Sequence, residues 1–178
     1  GYRYIGMDHF AKPDDELAQA QTRGVLHRNF QGYTTCKEAD LIGLGVSAIS
    51  LIDNVYCQNT KSVSEYQVLL EQQRSPLLAG VALTHDDEIR RAVIMSFLCR
   101  NGLEPAVVEA AYGVDFCDYF RSELIQLEGF VDQGLLERDG RDYRLTPRGR
   151  LVVRKICMLF DVYLPDHLKQ GRRFSRVL

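Results

Sequence analysis

The stretch Leu135–Arg150, "LLERDGRDYRLTPRGR", decides how the second half of this sequence folds. Asp139-Gly140 separates "LLER" from "RDYRLT", and both residues tolerate positive φ, which marks a β-hairpin turn. Upstream, "THDDEIRRAVIMSFLCRNG" (84–102) reads as a helix. Thr84 or Asp86 caps it, Ile89, Val93 and Phe97 recur at helical spacing, and Gly102 stops it. A shorter helix follows over about 105–112, and a third over 115–133 is stopped by Gly134. Three helices, a hairpin and then "RLVVRKICMLFDVYL" (150–164) give the element order of a winged-helix domain.

That order raises nucleic-acid binding, and charge argues against it. The helix over 115–133 would be the recognition element. It carries Asp115, Asp118, Glu123, Glu128 and Asp132 against Arg121 alone, a net −4. Phosphate neutralisation dominates nucleic-acid affinity, and this helix opposes it. The expectation is a structural or protein-contact module.

Toward the N-terminus the character changes. "RYIGMDHFA" (3–11) reads as a strand ending at Asp8-His9, and Pro13 with Asp14, Asp15 and Glu16 opens a helix over "ELAQAQTRG" (16–24). Gly24 is its C′ residue. "HRNFQGYTT" (27–35) is too polar for a buried strand and too aromatic for a solvated loop. An apolar run with Gly43 and Gly45 follows, "ADLIGLGVSAISLID" (39–53). This strand–helix–strand rhythm is that of α/β architecture, but about 60 residues are too few for a complete barrel. "SVSEYQVLLEQQRS" (62–75) is an amphipathic helix with Val63, Tyr66, Leu69 and Leu70 on one face. The fold class expected is therefore α+β and mostly helical, in two parts. Residues 1–60 hold the last α/β elements of a partial barrel, and 61–178 form a helical, winged-helix-like domain.

Composition sets further limits. With 178 residues, 46% of them hydrophobic and 26% charged, the chain can build a sizeable core. No run of about 18 apolar residues exists, so no membrane span is expected. The net charge of −2 is unevenly divided. Residues 1–140 carry 12 Lys+Arg against 21 Asp+Glu, or −9; residues 141–178 carry 10 against 3, or +7. The basic tail, with Arg172, Arg173 and Arg176, either meets an anionic partner or is solvated surface. Five cysteines (36, 57, 99, 117 and 157) lie no closer than 18 residues apart, so no C-x-x-C or zinc-ribbon spacing exists. Scattered thiols without a secretory signal point to a reducing cytoplasm, and no metal site is expected in this chain.

Taken together, "IGMDHFAKPDDELA", "LHRNFQGYTT", "DLIGLGVSAIS", "ALTHDDEIRRAVI", "LTPRGRLVVRKICMLFD" and the terminal "FSRVL" resemble the C-terminal part of bacterial oxygen-independent coproporphyrinogen III oxidases (dehydrogenases). These are radical S-adenosylmethionine (SAM) enzymes, and the resemblance runs along essentially the whole chain. It implies oxidative decarboxylation of two propionates of coproporphyrinogen III to vinyl groups, giving protoporphyrinogen IX in haem biosynthesis. The resemblance also implies SAM and a 4Fe–4S cluster in the complete enzyme. The cluster motif C-x-x-x-C-x-x-C and the glycine-rich SAM segment do not occur here. The chain therefore reads as a fragment, expected to be inactive by itself and to hold no catalytic residue and no metal ligand.

By the same resemblance, Phe30 and Gln31 of "NFQGY" and Ile49 of "SAIS" fall on SAM-binding positions. Their chemistry is compatible. Phe30 offers an aromatic wall to adenine or sulfonium. Gln31 offers a donor and an acceptor, and Gly32 permits close backbone approach. Read without the resemblance, Ile49 and Phe30 would be core residues. Asp8-His9 reads either as chemistry at a strand end or as a structural pair. Arg28 reads as a bidentate carboxylate partner or an ordinary surface ion pair. Tyr33 and Tyr56 read as core tyrosines. Two other functions compete. One is a winged-helix nucleic-acid or adaptor module. The other is a haem-carrying relative of the same superfamily, which resembles "HN..YW" at this stretch; this chain has no Trp. The partners expected are coproporphyrinogen III and SAM, with no nucleic acid and no membrane. Residues 1–60, deprived of barrel neighbours, are expected to rearrange or to pair with a second copy through an exposed edge.

Overall fold

A computed structural model describes residues 1–37 and 39–164; Arg172, Arg173, Arg176 and "FSRVL" lie outside the described residues. The chain is α+β, with eight α-helices and four small sheets among the described residues.

The N-terminal strand predicted over 3–11 is instead a hairpin, β1 (Arg3–Gly6) against β2 (His9–Ala11), because Met7 adopts positive φ in a tight turn. Helix α1 (Glu16–Arg23) follows as expected. Asp15 accepts from the Leu17 N–H at its start, and Gly24 closes it in the left-handed region. Next come the hairpin β3 (His27–Asn29) and β4 (Gly32–Thr34), then β5 (Ile49–Ile52) and β6 (Val55–Asn59). After α2 (Val63–Glu71), strand β7 (Leu77–Ala82) returns to pair with β6. The division at 60/61 falls between β6 and α2, and the β5-β6-β7 sheet runs across it. All strand pairs among the described residues are antiparallel, so the strand–helix–strand order read from the sequence is kept without the parallel pairing of α/β architecture. Helix α2 buries no residue fully; of the apolar face read on it, Tyr66 and Leu69 are half-buried while Val63 and Leu70 are exposed.

The longest helix, α3 (His85–Arg100), opens on a complete capping box. Thr84 Oγ1 accepts from the Asp87 N–H at 3.2 Å, and the Thr84 N–H donates to Asp87 Oδ2 at 2.9 Å. It is stopped by Asn101 in the left-handed conformation, one residue before the Gly102 expected. Gly102 begins β8 (Gly102–Leu103), where a Cβ would sit 2.6 Å from the Tyr143 carbonyl. Helix α4 (Pro105–Tyr112) has its predicted bounds. The single helix predicted over 115–133 is two, α5 (Phe116–Tyr119) and α6 (Arg121–Asp132), broken at Phe120. The hairpin β9 (Leu136–Asp139) and β10 (Asp142–Leu145) turns on Gly140-Arg141, with Gly140 at φ 62°. The final stretch forms α7 (Pro147–Leu151), α8 (Val153–Cys157) and a 3₁₀ turn at Met158–Phe160.

Two cores share α3. On one side Ile89, Val93 and Phe97 pack with Leu103, Phe116, Phe120, Leu127, Leu136, Ile156 and Phe160. On the other Cys99, with Met95 and Leu98, meets Ile5, Ala18, Ala20, Leu26 and Tyr33 of the N-terminal hairpins and α1. Arg150 of α7 ties the ends of the chain together. It donates to the Tyr4 carbonyl at 3.0 Å and lies 4.9 Å from the centre of the Tyr4 ring.

The "LTPRG" motif has a local reason. Thr146 Oγ1 caps α7 by accepting from the Gly149 N–H at 3.0 Å, and Pro147 fills the first helical position. Gly149 lies against the Leu135 carbonyl so closely that a Cβ would collide with it. Gly149→Ala is therefore expected to destabilise the protein by about 1–3 kcal/mol, measured by denaturant unfolding; a midpoint equal to the parent protein's would refute this packing.

Candidate functional site

"HRNFQGYTT" resolves into strand, turn and strand. His27 pairs with Thr34, Arg28 with Tyr33 and Asn29 with Gly32, which leaves Phe30-Gln31 as a two-residue tip. Such tips usually need positive φ inside the loop, but neither Phe30 nor Gln31 adopts it. The turn is closed by its flanks instead. Asn29 Oδ1 accepts from the Gln31 N–H at 2.8 Å and the Gly32 N–H at 3.3 Å, and Gly32 takes φ 139°. A Cβ at Gly32 would also stand 3.0 Å from His9 Nε2. Backbone demands at positions 29 and 32 thus push Phe30 and Gln31 outward.

Both tip residues are exposed, Phe30 at 56%, against the core placement its residue type would favour. The Gln31 side chain has no hydrogen-bond partner among the described residues and keeps its donor and acceptor available. The Phe30 ring meets Tyr56 edge to face, with centroids 5.1 Å apart. Tyr56 stands opposite Leu51 across the β5–β6 pair, and Ile49 lies two residues from Leu51. Alternation along the strands therefore puts Ile49, Leu51, Tyr56 and Gln58 on one sheet face. Ile49 is half-buried there, and Gly43 lies against its backbone, where a Cβ would be 2.7 Å from the Ile49 carbonyl oxygen. Phe30 and Ile49, 19 positions apart, are thus linked through Tyr56, which from its residue type alone reads as core. Sheet register makes that link, and no local signal announces it.

On the inner face of the hairpin, Tyr33 is buried and donates to the Leu98 carbonyl at 3.1 Å, as expected of a core tyrosine. Burial pushes its hydroxyl up to about 12. Arg28 lies over the Tyr33 ring at 5.2 Å with no ion-pair partner among the described residues, and its Nη1 is buried without an acceptor. The surface ion pair that its residue type allowed does not form among them. Asp8 and His9 sit on the β1–β2 turn; Asp8 Oδ1 is 2.9 Å from His9 Nδ1 but is not aligned as a hydrogen bond. The His9 ring packs edge-on to Tyr33 at 5.2 Å, which makes it a wall of the hairpin packing. Among the described residues no three His, Cys, Asp or Glu side chains converge as a metal-ligand set, and all five cysteines are free thiols. Nor is any helix among them long and apolar enough to cross a membrane.

These features have counterparts among known proteins. Residues 83–152 match the family described as the HemN C-terminal domain. The whole chain is 49% identical to the oxygen-independent coproporphyrinogen III oxidase of Escherichia coli (strain K12) and 50% identical to that of Pseudomonas aeruginosa. It spans only 39% and 38% of those two relatives, and 54% of a 46%-identical relative from Thermostichus vulcanus. A solved structure, E. coli coproporphyrinogen III oxidase (HemN), described as a radical SAM enzyme, superimposes with a TM-score of 0.87 at 50% identity. The match covers 92% of this chain and 38% of that one. The chain is thus similar along its entire length to the C-terminal portion of oxygen-independent coproporphyrinogen III oxidases.

The turn geometry has a direct consequence. Gly32→Ala places a side chain in a backbone region that suits glycine and crowds His9. A loss of about 1–3 kcal/mol is expected, read by thermal unfolding. No change in the unfolding midpoint would mean that the hairpin does not depend on φ at this position.

Proposed function

We propose that this chain forms the C-terminal portion of an oxygen-independent coproporphyrinogen III oxidase and supplies one wall of its SAM site, with Phe30, Gln31 and Ile49. The carrying observation is the hairpin tip itself. An aromatic ring and an unengaged amide are held outward by Asn29 and Gly32, and Tyr56 joins them to the sheet face that bears Ile49. The ring suits an adenine or sulfonium face. The amide suits the polar groups of an amino acid or ribose. When bound, SAM would supply the radical that removes a β-hydrogen from a propionate of coproporphyrinogen III, leading to decarboxylation and a vinyl group. The residues of this chain would hold and orient it. A 4Fe–4S cluster requires converging thiolates; the described residues offer no such set, and in the complete enzyme the ligands would come from outside them.

Several features support the remaining parts of this reading. Strand β7 exposes Leu77, Leu78 and Val81, and the loop before β5 exposes Ile42 and Leu44. Such a face suits elements that complete a barrel with further polypeptide, and in isolation it would pair with a second copy. The order α3, β8, α4, α5–α6, β9, β10, with sheet order β8-β10-β9, supports the winged-helix reading of this part. Its charges are turned inward. Glu123 pairs with Arg90, Glu128 with Arg138 of the wing, and Glu109 with Arg141. Neutralisation of two wing cations, Arg138 and Arg141, by the protein's own carboxylates favours a structural module over a phosphate reader. Five free thiols suit a reducing cytoplasm.

The test is made in the full-length enzyme. Gln31→Ala removes hydrogen bonds to the ligand, so SAM affinity should fall roughly tenfold and vinyl formation should drop while the fold persists. Unchanged SAM affinity for both Gln31→Ala and Phe30→Ala would refute the assignment.

A further inference from the structure

Two adjacent arginines on α3 have opposite surroundings. Arg90 faces the C-terminal core and is fully engaged, with Asp86 at 2.8 Å and Glu123 at 2.9 Å. Arg91 faces the N-terminal hairpins and has no carboxylate within ion-pair distance among the described residues. Its guanidinium lies 5.7 Å from the centre of the Tyr56 ring. That ring is the one meeting Phe30, so Arg91 is one side chain removed from the hairpin tip. Lys37 and His27 are likewise without an ion-pair partner among the described residues. His27 is driven toward its neutral form, first by burial and then by the positive charges of Arg91 and Lys37.

Arg90, Arg121, Arg138 and Arg141 are paired with the protein's own carboxylates, whereas among the described residues Arg91 has an aromatic neighbour and no carboxylate partner. Aromatic contact holds Arg91 in position without neutralising it, so its hydrogen-bonding fork remains available for a planar anion. We propose that Arg91, supported by Lys37 and His27, binds a carboxylate of the ligand that rests against Phe30 and Tyr56. The assignment depends on the ligand position proposed above. Two sources of that carboxylate are available, the amino-acid moiety of SAM and a propionate of the porphyrinogen.

The full-length enzyme distinguishes them by equilibrium binding of SAM and of coproporphyrinogen III, measured separately. Arg91→Ala should weaken one of the two roughly tenfold and leave the other nearly unchanged. Arg91→Lys should recover part of the loss, because charge is kept but the bidentate fork is not. A selective loss for SAM assigns the amino-acid carboxylate, and a selective loss for the porphyrinogen assigns a propionate. No loss for either ligand overturns the proposal, and so does an equal loss for both, as a general disturbance of α3 would give. If Arg91→Ala does not fold, Lys37→Ala decides, since Lys37 is exposed. It should weaken the same ligand about twofold to threefold at low salt and not at high salt, and no effect at low salt overturns the proposal. Gln31→Ala in the same assays separates the two ideas. A silent Arg91→Ala beside a damaging Gln31→Ala rejects only the carboxylate contact, whereas Gln31→Ala and Phe30→Ala both silent reject the ligand position on which it depends.

Discussion

The structure depends on α3 burying two faces at once. Ile89, Val93 and Phe97 are fully buried against the C-terminal helices, while Cys99, with Met95 and Leu98, closes on the N-terminal hairpins. A helix with apolar residues around most of its circumference is stable only when both sides are covered. It cannot keep one core and release the other without exposing apolar surface, and removing a buried aliphatic side chain there would cost about 2–5 kcal/mol. Polar links reinforce the constraint, Tyr33 to the Leu98 carbonyl and Arg150 to the Tyr4 carbonyl. The capping box at Thr84 and Asp87 fixes where α3 begins, and so which residues face each core.

From that constraint follows the placement of the hairpin tip. Tyr33 anchors β4 against α3, and the space for its hydroxyl exists because position 6 is glycine, where a Cβ would collide with it. With the inner face so fixed, alternation leaves the outer face and the tip to other uses. Asn29 and Gly32 then set the turn, and Phe30 and Gln31 have no core to enter. An exposed aromatic beside an exposed amide is costly to retain for packing alone. At this tip the ring meets Tyr56 edge to face and stays 56% exposed.

Much of the C-terminal half was legible in the sequence because its signals are local. The Thr84 cap, the spacing of Ile89, Val93 and Phe97, Pro105 and the Gly140 turn all act within a few residues. The misreadings share a cause. The break at Phe120, the stop at Asn101 and the turn at Met7 each put a non-glycine residue in a conformation that its neighbours impose. The apolar face on α2 misled for another reason, since periodicity reports amphipathicity and not what covers it. At the candidate site, Phe30, Gln31 and Ile49 came from the resemblance. Tyr56 and Arg91 were not visible, because one joins the site through strand register and the other through helix phase.

Charge shows the same gap between chain order and space. By sequence the C-terminal part is basic and the rest acidic, which points to the tail as the place where an anion would be met. Folding redistributes that excess. Arg138 and Arg141 of the wing are matched by Glu128 and Glu109 of the preceding helices. Arg91, Lys37 and Arg28, all in the part of the chain with the negative balance, have no ion-pair partner among the described residues. Coulomb energy falls with distance and with solvent exposure, so net charge per segment says little about potential at a site.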